Sequence, residues 1–166
     1  MHTFFNASDF LPTKWNTADE KAAFGNALLH FMLTGFLAER FTEKLYTRLS
    51  MCFGHIAHFD RHGFAETWFD SPESIASFVN HLMQWSCHGD PGYTFSDLER
   101  AVQSEVARLN LVTKVNEAAA SSIQQRELAL LDALENKYRR DTVIPMPHPA
   151  TPAEREEPAE QLPLIA

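Results

Sequence analysis

Cysteine is scarce: Cys52 and Cys87 are the two thiols in 166 residues. Two thiols build no disulfide framework, and the pattern fits a reducing, cytoplasmic setting. Positive charge is short as well, with 14 Lys and Arg against 22 Asp and Glu and a formal net charge of −8. That deficit is uneven. From Asp141 onward there are five acids and one base, which leaves −4 for the first 140 residues. A mildly acidic body lacks the clustered cations that wide phosphate contact needs, so a nucleic-acid partner is not expected. No basic stretch followed by an apolar run marks a secretory signal at the start. One nearly apolar stretch, 22–38, has 17 residues and carries Asn26, His30 and Thr34. It is at the short edge of a membrane span, and it reads as a buried central helix. Internal repeats are missing, and so are Gly-x-Ser-x-Gly, a phosphate-binding glycine loop, a dinucleotide fingerprint and His-Glu-x-x-His. These absences lean away from an enzyme and imply no cofactor.

Helical signals fill most of what remains. The hydrophobic fraction is 45%, with 13 Phe and three Trp, enough for an aromatic core within one domain. Phe4, Phe5, Phe10 and Trp15 form an irregular lead-in expected to pack on the body. Thr17-Ala-Asp-Glu20 has the form of a capping box and predicts a helix to about residue 50. Gly25 and Gly35 weaken that helix unless a neighbour approaches closely. Over 53–69 the helical period breaks, and Asp60-Arg-His-Gly63 between two aromatic runs allows a small β-hairpin. Ser71-Pro-Glu73 opens a helix to about Trp85. Ser96-Asp-Leu-Glu99 is a second capping-box pattern. It starts either one helix of about 40 residues or a helix pair, and the exposed apolar positions there favour a partner helix or a second copy. Six of nine prolines fall after residue 140. The expectation is a single, mostly α domain over 1–140 and a disordered Pro/Glu-rich tail over 141–166, with Leu162-Pro-Leu-Ile-Ala166 as an apolar end.

Seven of the ten His and Cys residues lie between 52 and 88. Thiolate sulfur and imidazole nitrogen are the donors zinc prefers. Cys52, His55, His58, His62, Cys87 and His88 are therefore the candidate metal ligands. On a helix His55, His58 and His62 share a stripe; on a hairpin His55 and His58 point apart. His58, Asn80 and His81 would serve a ββα metal nuclease, against which the sparse basic surface speaks. Asp60, Asp70 and Asp90 are placed to orient an imidazole, although Asp90 before Pro91-Gly92 reads more simply as a turn former. His30, Trp68, Phe69 and Trp85 read as core. Arg40, Lys44 and Arg48 recur every four residues, a spacing that makes one helix face cationic beside Glu39 and Glu43.

The runs GHIAHFDRHGF…WF and GDPGYTFSDLE, within 54–100, resemble segments of uncharacterised small accessory proteins of bacterial mobile elements. The resemblance carries no catalytic motif. It implies a context in which such proteins bind host or defence machinery. Together these readings lead to a non-enzymatic protein-interaction module, with a zinc-binding domain, structural or hydrolytic, as the alternative.

Overall fold

The computed structural model describes residues 3–54 and 60–141. These contain two 3₁₀ turns, Ala7–Asp9 and Ala38–Arg40, and six helices: α1 (Ala18–Leu33), α2 (Glu43–Cys52), α3 (Arg61–Phe69), α4 (Pro72–Gln84), α5 (Ser96–Arg108) and α6 (Leu111–Asp141). No described residue lies in a strand, so the fold is mainly α. The chain divides into two units, Met1–Leu128 and Ala129–Ala166. The first holds the hydrophobic core. Of the second, the helical residues 129–141 are described.

α1 starts where the capping box places it. The Glu20 amide donates to the Thr17 hydroxyl at 3.2 Å, and the Thr17 amide donates to the Glu20 carboxylate at 2.9 Å. Its apolar side chains point nearly all round, and Phe24, Leu28, Leu29, Phe31 and Met32 are all buried. Such a helix belongs at the centre of its unit, and α1 touches α2, α5 and the Ala7–Asp9 turn. It ends well before residue 50. Gly35 (φ 78°) and Phe36 (φ 60°) turn left-handed, and the Phe36 amide donates to the Phe31 carbonyl at 3.0 Å. This is a Schellman-type stop, with a glycine at the residue that needs a positive φ. Thr42 then caps α2 by accepting from the Leu45 amide at 3.2 Å.

The hairpin expected over 53–69 is replaced by α3 from residue 61 on; residues 55–59 lie outside the described residues. Asp60 is the reason. Its carboxylate accepts from the Gly63 amide at 2.7 Å, which is the geometry of an N-cap and not of a hairpin turn. Ser71 and Pro72 open α4 as expected. The second capping box does not form. α5 begins at Ser96 itself, whose hydroxyl donates to the Gly89 carbonyl at 2.9 Å, and Glu99 is buried. Asn110, with φ 54°, separates α5 from α6, so the C-terminal region is a helix pair.

Six phenylalanines, Phe31, Phe36, Phe41, Phe64, Phe69 and Phe78, build the aromatic centre. Phe69 sits 5.0 Å from each of Phe31, Phe41 and Phe78, edge to face in every case, the arrangement that ring quadrupoles favour. Phe5 and Phe10 are buried as expected, whereas Trp15 is 70% exposed. Gly25 is where the N-terminal segment and α5 meet α1. A Cβ there would lie 2.7 Å from the Phe5 ring and 3.0 Å from Leu98.

The strongest polar tie in the core is Lys21. Its side chain is fully buried, and its ammonium donates to the carbonyls of Pro91 (3.0 Å) and Thr94 (3.1 Å) and to both Asp97 oxygens (2.9 and 3.2 Å). The Phe95 ring covers it at 5.8 Å. Asp97 in turn accepts from the Leu11 amide at 3.0 Å. One charge pair thus fastens α1, the 91–95 loop, α5 and the N-terminal segment. Replacing one member of a buried ion pair leaves the other uncompensated. Lys21→Met is therefore expected to cost about 3 kcal/mol in urea unfolding, and a loss below about 1 kcal/mol would contradict this role.

Candidate functional site

The residues proposed from sequence as metal ligands occupy different environments. Cys52, at the end of α2, is 1% exposed and belongs to the core. Burial, reinforced by the Glu99 carboxylate, pushes its thiol from 9.0 up to about 12. Packed among the core side chains, its sulfur is turned away from the surface. Cys87 is half-buried, its sulfur 3.4 Å from Gln103 Oε1 and 3.7 Å from the Trp85 carbonyl. Burial and the nearby Glu99 charge raise its thiol too. His62 is exposed on the first turn of α3, with Nε2 3.2 Å from Glu66. His88 is exposed in the 85–95 connection. His55 and His58 lie outside the described residues. Among the described residues, no group of three or more His, Cys, Asp or Glu side chains is placed to hold a metal ion.

What the structure brings together instead is a small polar network under α4. Gln103 of α5 donates through Nε2 to the carbonyls of Leu82 and Trp85, both at 2.9 Å, closing the C-terminus of α4. Beside it Glu99 is buried. Burial raises its carboxyl above the usual range, offset by hydrogen bonds to Trp85 and Cys87. Glu99 had a sequence signal, but the signal pointed to a helix cap. Its burial comes from the tertiary approach of the Trp85 region, which no local pattern encodes. His30 is half-buried near Phe4, with ring centroids 5.4 Å apart. Asp60 and Asp90 serve turns and caps: the Asp90 carboxylate accepts from the Gly92 amide at 2.8 Å.

A different kind of surface lies on the described part of the second unit. Leu130, Leu131, Leu134 and Tyr138 are each 42–61% exposed. At 3.6 residues per turn they fall within a sector of about 100°. Elsewhere around this stretch, Glu135 and Arg139 pair at 3.2 Å. In the first unit, Ile123 and Leu128 of the same helix are exposed as well. No described helix is long and apolar enough to cross a membrane, so a bilayer-spanning role does not account for these side chains. Comparison of the chain with protein-family models, curated proteins and solved structures finds no match.

The two thiols give a direct check on this geometry. In the folded protein, maleimide is expected to modify Cys87 and to reach Cys52 only on unfolding; labelling of Cys52 in the native state would contradict its burial. The raised Cys52 thiol also has a pH consequence. The unfolded chain ionises it from about 9.0 while the folded chain holds the proton to about 12. Its stabilising effect is therefore complete below pH 9 and is lost progressively between those values. Denaturation curves of Cys52→Ala should be flatter than wild type over that alkaline range.

Proposed function

We propose that this chain is a non-enzymatic protein-interaction module, a regulator or inhibitor of a larger complex, that engages its partner through α6. The observation that carries this reading is the apolar row Leu130, Leu131, Leu134 and Tyr138 left open to water. Each leucine gains about 2 kcal/mol when a partner covers it fully. An amphipathic helix presents its anchors at three- and four-residue spacing to an apolar groove or a second helix, and Leu131, Leu134 and Tyr138 have that spacing. The flanks are charged: Asp132, Glu135 and Arg139 are exposed, which suits a polar rim around an apolar contact. The resemblance of segment 54–100 to accessory proteins of bacterial mobile elements adds a context, the capture of host or defence machinery.

The test is the double variant Leu131→Ser, Leu134→Ser. Both residues are exposed, so unfolding stability should stay within about 0.5 kcal/mol of wild type. Affinity capture from a bacterial lysate should then lose the partners that wild type retains. An unchanged set of captured proteins would count heavily against the reading. Sedimentation across a concentration series separates the remaining case, in which the row is covered by a second copy of the chain.

A further inference from the structure

Between α1 and α2 the first unit carries a groove formed by three hollows of about 490, 240 and 480 Å³. The first and second share Ala23, Ala27 and Thr42; the second and third share Lys44 and Arg48. They therefore run into one another. The floor is made of small side chains from α1, where Ala23 and Ala27 are exposed. One wall is cationic, from Arg40 through Lys44 to Arg48. The far end is mixed: Trp15 (70% exposed) and Met51 (59%) stand beside Asn16, Thr47 and the carboxylate of Glu43.

This charge is unusual for the molecule, whose net charge is −8. The cations are also available. Neither Arg40 nor Lys44 has an ion-pair partner among the described residues. Arg48 is held in place by a hydrogen bond from its guanidinium to the Asn16 side-chain oxygen, which orders the group without neutralising it. Of the two acids on this side, Glu43 faces Arg61 at 3.5 Å, and Glu39 lines the first hollow beside Arg40. A tryptophan left largely in water next to a pre-ordered arginine combines two residue types that dominate binding energy at interfaces.

We propose that this groove binds an extended acidic peptide segment of a partner protein, with carboxylates against Arg40, Lys44 and Arg48 and an apolar anchor residue over Trp15 and Met51. Charge complementarity selects the acidic character. Trp15 and Met51 offer an apolar side chain a contact surface beside the cations. This site is separate from the α6 row and does not depend on it.

The probe is a fluorescein-labelled peptide of about ten residues in which Asp and Glu alternate with Leu and Phe, titrated with the full chain and read by anisotropy. Lys44→Glu is expected to weaken binding about tenfold, while Lys114→Glu, an equal charge change on α6, stays within about twofold. Trp15→Ala should weaken it about tenfold as well, with unchanged far-UV circular dichroism. Equal losses in the two lysine variants would overturn the proposal, as would equal affinity for the Asn/Gln version of the peptide. Tighter binding of a single-stranded oligonucleotide of the same charge would overturn it in favour of nucleic acid. No measurable binding of the peptide would also overturn it.

Discussion

The architecture of the first unit depends on the buried ammonium of Lys21. A charged group taken out of water has to find nearly all of its lost hydration inside the protein. Lys21 does so through Asp97 and two backbone carbonyls, and those acceptors lie 70 to 76 residues away along the chain. The 91–95 turn is therefore shaped to offer its carbonyls to one point. Asp97 accepts at that point and also holds the Leu11 amide. Hydrophobic contacts among phenylalanines can slide and repack at modest cost. A charge with four fixed acceptors cannot, and so it sets the register of α1 against α5.

What could be read in the sequence was what local chemistry decides. The Thr17 and Ser71 caps, the Pro72 start, the burial of α1 and the α4 face all follow from neighbours within four residues. Where two local readings competed, the sequence did not choose between them. Asp60-Arg-His-Gly63 suits a turn or a helix start, and the matter is settled by Phe64 fitting beneath Phe41 and Tyr46. Gly35 and Asn110 stop α1 and α5 in left-handed conformations that both residue types commonly adopt there, but a lone Gly or Asn does not by itself separate a stop from a weak point within a longer helix. Lys21 has nothing in its local sequence to mark it off from any polar residue in the first turn of a helix. Its burial depends on a turn 70 residues later.

The same limit applied to chemistry. Seven His and Cys residues in a short span suggest ligands, yet side chains near in sequence are distributed by the helices that carry them. Cys52 turns into the core while Cys87 and His88 stay on a connecting segment. The surfaces with functional promise lie elsewhere, on an exposed apolar row and beside a cationic wall. The cationic spacing was visible at Arg40, Lys44 and Arg48. The hollow beside it was not, because it needs the alanines of α1 to come alongside.

Asn26 is a small feature of α1 whose side chain does the work of a neighbouring strand. Its oxygen accepts from the amides of Phe4 and Phe5 at 2.7 and 3.1 Å, and its nitrogen donates to the Phe5 carbonyl at 2.9 Å. These bonds close loops of 21 and 22 residues, whereas the Leu11 bond to Asp97 closes one of 86. Two doublings of loop length add about 1.2 kcal/mol of closure entropy. The Phe4–Phe5 segment therefore finds its partner on α1 within 22 residues of sequence, at a smaller closure cost than the contact with α5. Residues 4–11 are thus held twice, by an asparagine close in sequence and by an aspartate far from them.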